Sequence, residues 1–169
     1  IGSHVMELLR DRGHDAIVID DLSKGLLENQ ASDCAFVRVD IADRDALRTA
    51  AEALPRLDAI IHCAAQASVT ASTDDPVHDL AVNLHGTLNV LDIASAHNCP
   101  LVFTSTGGAI YSEAEARPTP ETGTIGPSAP YGASKAAAEV YVRLAAHRDG
   151  LPHTVCRLSN VYGPRQRGD

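Results

Sequence analysis

The stretch CPLVFTST, residues 99–106, is too short for a helix, is apolar from Leu101 to Phe103, and ends in three consecutive hydroxyls. It reads as a buried strand with a polar carboxyl end. Four other runs read the same way. DAIVID (15–20) and CAFVRVD (34–40) close on Asp20 and Asp40, LDAIIHCAA (57–65) passes from strand into a loop of small residues, and HTVCRLS (153–159) precedes a turn-rich tail. Helical spacings separate these runs. Val5, Met6, Leu8 and Leu9 predict a short helix over 3–13, with Ser3 as N-cap and Gly13 as stop. Ala46, Leu47, Ala50, Ala51 and Leu54 predict a second, ended by Pro55, and Val77, Leu80, Leu84, Leu88 and Leu91 a long one over 76–97. A further helix is expected over 130–149. Strands alternating with helices imply an α/β fold, a doubly wound, mostly parallel sheet covered on both faces. Ligands of such sheets sit beyond the carboxyl ends of the strands, so Asp20, Asp40, the loop from Cys63 to Ala67 and the segment from Thr104 to Gly108 should converge on one crevice. The irregular connection over 107–130 is long enough to suggest a functional role.

Composition narrows the classes of function. The 169 residues are 44% hydrophobic and 21% charged, ordinary for one globular core. The formal charge of -8 gives no general attraction for nucleic acid or an anionic membrane, although a helix terminus can still hold a small anion. No apolar stretch is long enough to span a bilayer, and the opening IGSHVMELLRDRGH lacks the pattern of a signal peptide, so a cytoplasmic location is expected. The four cysteines contain no CxxC pair and read as free thiols. His62, His85 and His97 fall on different elements, and no metal site is expected. The closing RGD is read as a chance tripeptide rather than an adhesion motif.

The chemistry concentrates in YGASK, residues 131–135. Side chains four apart share a helix face, so Tyr131 and Lys135 point the same way. An ammonium near a phenol favours the phenolate and lowers its pKa, which suits proton exchange with a substrate hydroxyl. Thr104, Ser105 and Thr106 could orient that hydroxyl, although at least one of them is expected to bond its own backbone. Asp20 ends a strand 18 positions after Gly2, where a dinucleotide fold places a carboxylate for the adenosine ribose. Such a carboxylate repels a 2′-phosphate and so favours NAD over NADP.

Taken in order, IGSHVMELLRDRGH, VIDDLSKG, VRVDIAD, IIHCAAQASV, NLHGTLNVLDIA, VFTSTGGAIY, PYGASKAAAE and CRLSNVYGPRQ resemble the extended short-chain dehydrogenase/reductase family, the NAD-dependent sugar epimerases and dehydratases. The resemblance runs from residue 1 to 169 and implies a Rossmann-like NAD-binding domain. By that resemblance Tyr131 is the catalytic tyrosine, and Lys135 holds the nicotinamide ribose and lowers the tyrosine pKa. Thr106 bonds the reacting sugar hydroxyl, with Ser105 as the competing assignment. Asp20, Asp21, Ser23, Lys24 and Gly25 line the adenosine side, and Asp40 with Ile41 flanks the adenine. Cys63, Ala64, Ala65 and Gln66 run beneath the pyrophosphate and nicotinamide ribose, with Asn83, Thr104 and Ser159 completing the cofactor set. Asn160 contacts the nucleotide-sugar diphosphate.

Gly2 resembles the third glycine of a GxxGxxG turn. The resemblance therefore implies an incomplete domain over 1–169, without its first strand and glycine-rich turn and with most of a substrate lobe missing, and a fragment with little activity of its own. The reaction implied is 4-epimerisation of a nucleotide sugar of the UDP-glucose/UDP-galactose type through a transient 4-keto sugar. Dehydratases and decarboxylases of the family carry acidic residues after the catalytic Ser/Thr, where this chain has Gly107 and Gly108. A noncatalytic NAD-binding protein is the alternative of a different class. The family also implies a homodimer formed by the helices over 76–97 and 130–149, to which Leu80, Leu84, Leu88, Val140 and Leu144 could contribute.

Overall fold

The computed structural model describes residues 1–166; the terminal RGD lies outside the described residues. The chain runs α1 (Gly2–Asp11), β1 (Ile17–Asp20), a 3₁₀ turn (Leu27–Asn29), β2 (Ala35–Arg38), α2 (Arg44–Glu52) and β3 (Ile60–His62). It continues through α3 (Val69–Asp74), α4 (Pro76–Leu80), a π-helical turn (Ala81–His85), α5 (Gly86–His97), β4 (Leu101–Thr106), α6 (Pro130–Asp149) and β5 (His153–Leu158). All strand pairs are parallel, in two sheets, β1-β2 and β3-β4-β5.

One core joins the two sheets. Leu47 of α2, Val90 and Leu91 of α5, Phe103 of β4, and Ala138 and Val142 of α6 are buried together, and Ile19, Val39, Ile60 and Val155 of the two sheets pack on them. Burying each large apolar side chain contributes about 1.5–3 kcal/mol, so this shared layer, rather than strand-to-strand hydrogen bonding, couples the sheets.

Helix α6 is long because PYGASKAAAEVYVRLAAHRD combines Pro at its first position with a run of alanines, and Gly150, at φ +68°, ends it in the left-handed region. Its inward face is polar at intervals of four: Tyr131, Lys135 and Glu139 look toward β4, with Lys135 and Glu139 only 2% and 1% exposed. Glu139 makes a bidentate pair with Arg157 of β5 (2.9 and 2.7 Å) and accepts from Ser105 Oγ at 2.6 Å. Burial works to raise the Glu139 carboxyl, but the hydrogen bonds from Arg157 and Ser105 prevail and hold it below its ordinary range. The same guanidinium donates to the Tyr111 hydroxyl and the Glu121 carbonyl, both at 2.9 Å, and so ties the long connection to the sheet.

Three expectations are corrected. Ser3 lies inside α1, whose N-cap is Ile1 with no side-chain cap, because the helix begins at Gly2. The long helix over 76–97 is present but passes through a π-helical turn, and α3 precedes it, capped by Ser68 Oγ accepting from Ala71 N at 3.2 Å. The β3-β4-β5 sheet is well covered only where α5 and α6 pack: on the opposite face Ile61 is 38% exposed and Thr154 is exposed. Apolar strand residues report that a face can be buried, not what buries it.

Gly132 sets how closely α6 approaches the long connection. A Cβ there would lie 2.0 Å from the Ala109 carbonyl oxygen, whereas one on Gly108 would meet nothing nearer than Asn160 Oδ1 at 3.4 Å. Gly132→Ala is therefore expected to destabilise the fold by about 2 kcal/mol or more, and Gly108→Ala by well under about 1, in urea unfolding.

Candidate active site

Strand alternation gives the three hydroxyls of β4 different tasks. Ser105, on the α6 side with Phe103, spends its proton on Glu139. Thr104 donates to the His62 carbonyl at 2.9 Å. Thr106, at the strand end, accepts from Ala109 N at 3.2 Å and is the hydroxyl close enough to the Tyr131 phenol to act on its pKa, lowering it. Of the two candidates for orienting a substrate oxygen, Thr106 is the one beside the tyrosine.

The expected depression of the Tyr131 pKa is not what the structure gives. Burial pushes the phenol up, the Thr106 hydroxyl works against this, and the charge of Asp79 pushes it up further. Lys135, one turn on, is lowered to about 8 by burial, while Cys63, Asp79 and Glu139 act in the other direction. Its Nζ lies over the Phe103 ring, 4.3 Å from the centroid.

The backbone around this pair is held by a buried polar cluster centred on Asn83, in the π-helical turn. Its side-chain amide pairs with both backbone groups of Gln66, Oδ1 accepting from N and Nδ2 donating to O, each at 2.9 Å. Nδ2 also reaches Asp79 Oδ1 (2.9 Å) and Ser134 Oγ (3.2 Å). Gln66 Nε2 donates to the same Asp79 oxygen at 3.0 Å. The first turn of α6 is capped from α3, where Ser72 Oγ accepts from Tyr131 N at 3.1 Å. Asn83 therefore fixes the loop after β3, and Ser72 and Ser134 fix the tyrosine. A π-helical turn is frequently found at such sites, because it releases a residue from regular helical register.

On β3, His62 is buried, and its Nε2 lies 3.0 Å from Thr87 Oγ1. Thr87 gives its proton to the Asn83 carbonyl (2.7 Å), so His62 must be the donor in the first of these bonds, with its hydrogen on Nε2. Burial, aided by the charge of Lys135, lowers its pKa to about 3, so it is neutral.

Asp20, Asp21, Ser23, Lys24, Gly25 and Asp40 form a second group at the β1-β2 sheet. Asp20 Oδ1 accepts from Leu22 N at 2.7 Å, and a Cβ on Gly25 would lie 2.7 Å from that carboxylate. Asp21 Oδ1 accepts from Ser23 N (2.9 Å) and Ser23 Oγ (2.7 Å), and Lys24 lies between that turn and Gly25. Asp40 is exposed and accepts from Ala42 N at 2.8 Å, whereas Ile41 is a core residue beneath Gly86. Helix α5 links the groups: Asn89 donates to the Ile41 carbonyl at 2.8 Å on one side, and Thr87 holds His62 on the other. Gly2, at the start of α1, abuts Cys63, with 3.7 Å from a Cβ there to the cysteine Cβ, and Ala64 and Ala65 follow half-buried. Asn160 lies against Gly108 and Ser159 is exposed after β5. Sequence reasoning missed Ser72, Asp79, Phe103 and Glu139. The spacing of four carried a signal for two of them, since Asp79 precedes Asn83 and Glu139 follows Lys135 by one such step.

A parallel α/β domain with a Tyr/Lys pair and a threonine at the carboxyl end of a central strand defines a protein of the short-chain dehydrogenase/reductase class. The NAD dependent epimerase/dehydratase family matches residues 1–169, and the chain belongs to that family. It is 36% identical over 167 residues to a putative UDP-glucose 4-epimerase of Methanocaldococcus jannaschii, covering 98% of this chain and 54% of the relative. Among solved structures, UDP-glucose 4-epimerase from Thermotoga maritima with UDP-glucose superposes with a TM-score of 0.94 at 40% identity, over 98% of this chain and 54% of that one. The Thermus thermophilus UDP-glucose 4-epimerase in complex with NAD gives 0.93 at 42%, over 99% and 54%. The chain thus spans about half the length of the relatives it matches.

Two outcomes follow from this geometry. Asn83→Ala removes both bonds to Gln66 and is expected to cost about 2–4 kcal/mol, read from urea unfolding. A neutral buried His62 contributes stability that is complete above its ordinary pKa of 6.5 and is lost as pH falls toward about 3. The urea midpoint should therefore drop more steeply between pH 6.5 and 4 in the parent chain than in His62→Gln.

Proposed function

We propose that this chain forms the NAD-binding, proton-handling part of a nucleotide-sugar 4-epimerase of the UDP-glucose/UDP-galactose type. The observation that carries the reading is that the Tyr131 phenol lies beside the Thr106 hydroxyl at the end of β4, with Lys135 one turn further along the same helix.

The residues fit NAD. Asp20 closes β1, where its carboxylate can accept from a ribose hydroxyl, and Gly25 leaves that carboxylate its space. The N-terminus of α1, beside Cys63, offers a helix-dipole seat for the pyrophosphate, and the small side chains of Ala64 and Ala65 allow close backbone approach. Asp21, Ser23, Lys24 and Asp40 border the adenosine end; Gln66, Asn83, Thr104 and Ser159 border the nicotinamide end. When bound, NAD supplies a reversible hydride acceptor.

Tyr131 takes the proton of the sugar 4-hydroxyl and returns it, and Thr106 fixes the oxygen. Burial and the charge of Asp79 hold the phenol up, and the Lys135 ammonium, charged below about pH 8 and one helical turn away, is the group expected to favour the phenolate during the reaction. The turn after Thr106 carries Gly107, Gly108, Ala109 and Ile110, none able to act as acid or base, which favours epimerisation over the elimination steps of a dehydratase or decarboxylase. Asn160, against this turn, is available to the diphosphate of the substrate.

A second copy is expected to pack on α4 and α6, where Leu80, Val140 and Leu144 are 47%, 47% and 55% exposed; Leu84 and Leu88 instead turn to the core. Among the described residues no helix is long and apolar enough to cross a membrane, and a cytoplasmic site of action accompanies this reading.

The test uses the natural polypeptide that carries these residues. With UDP-galactose and NAD it is expected to form UDP-glucose, Tyr131→Phe lowering kcat by about 10²–10⁴-fold and Thr106→Val costing more than Ser105→Ala. A persistent 4-keto-6-deoxy product, or NAD binding with no turnover on any nucleotide sugar, would replace this reading with dehydration or with a noncatalytic role.

A further inference from the structure

A lysine that is 2% exposed needs a reason for its ammonium to lie where it does. The groups facing it are Asp79 from α4, Glu139 from its own helix, and Cys63 and His62 from the end of β3. Glu139 is already committed to Arg157 and Ser105, and Asp79 Oδ1 to Asn83 and Gln66. What lies directly beneath the ammonium is an aromatic face: the ring centroid of Phe103 is 4.3 Å from Nζ. Phe103 is completely buried on the middle strand of its sheet, and the His62 ring lies against it with centroids 5.6 Å apart and planes at 42°. His62 is itself tethered through Nε2 to Thr87. The ring therefore has little freedom to move, and an ammonium at this distance is attracted to its negative face, most strongly where water is excluded.

We propose that Phe103, wedged against His62, is a positioning residue that seats the Lys135 ammonium by cation–π attraction and so aims it at the point where Tyr131 meets Thr106. The assignment rests on the redox reading of Tyr131 and Lys135, but the contact itself can be tested without cofactor or substrate. Thr87, His62 and Phe103 then form a buried line from α5 through β3 and β4 to the lysine. The orientation of that side chain is set by the sheet rather than by α6 alone.

The chain's composition makes the experiment direct. Its only lysines are Lys24 and Lys135, and its only phenylalanines are Phe36 and Phe103. Lysine labelled with ¹³C at Cε in the natural polypeptide that carries these residues gives a Lys135 signal and a Lys24 signal, each assigned by its loss in Lys135→Arg or Lys24→Arg, to follow through a pH titration. Replacing phenylalanine by its mono-, di- and trifluorinated forms weakens the ring face stepwise at nearly constant shape. Phe36 lies on β2 in the other sheet, and Phe36→Leu in the same series removes any contribution from it. The expected result is a stepwise fall of the Lys135 midpoint, reaching about half a pH unit, a roughly threefold loss of proton affinity, with trifluorophenylalanine. The Lys24 midpoint and the urea midpoint should stay fixed. A Lys135 midpoint that does not move across the series, or that moves together with Lys24, overturns the assignment. Neither result bears on sugar turnover, so the epimerase reading stands or falls separately.

Discussion

A carboxylate, an ammonium and a phenol spaced four residues apart along one helix face, and turned toward a sheet, can be buried only if each meets its own partner on that sheet. In α6 they do: Glu139 on Arg157 and Ser105, Lys135 on Phe103, Tyr131 on Thr106. Breaking a buried ion pair by removing one partner typically costs about 3–5 kcal/mol, so the Glu139 pair, together with the buried Ala138 and Val142, holds the rotation of α6 about its axis. Once that rotation is set, the two groups N-terminal to it fall at the mouth of the sheet. Arg157 extends the constraint outward, since one guanidinium holds the helix and the connection over 107–130 together.

The opposite wall depends on a single amide. Asn83 satisfies the backbone of Gln66 and part of Asp79 at once, and it can do so because the helix is wound more widely where it sits. One oxygen of Asp79, Oδ2, is buried without a hydrogen-bond partner among the described residues, and this side chain lies close enough to the tyrosine and the lysine to act on both. Desolvation is the largest influence on both acidities, with Thr106 and Asp79 acting on the phenol and Cys63, Asp79 and Glu139 on the ammonium.

Much of this was legible in the sequence, for physical reasons. Parallel strands appear as short unbroken apolar runs, and LVFTST and AIVID could hardly be anything else. Tyr131 and Lys135 were visible because helical periodicity is a local property. Helix α3 was not, since VTASTD is rich in β-branched and hydroxyl residues and is held by its cap and by Ser72 rather than by propensity. The division of labour among Thr104, Ser105 and Thr106 depends on which face of β4 meets α6, and the position of Phe103 beneath Lys135 depends on packing across the chain. Neither is written in local spacing. Nor is the winding of residues 81–85, because AVNLH contains neither glycine nor proline to mark it.

That winding has a consequence for how the family's chains can vary in length. A π-helical turn is an α-helix holding one residue more than it needs, so deleting any one residue between 81 and 85 would yield a better helix. It would also rotate the segment that includes Asp79 by about 100° relative to α5. Asp79 would then swing away from Gln66, and a shorter, more regular protein would have lost one wall of its crevice.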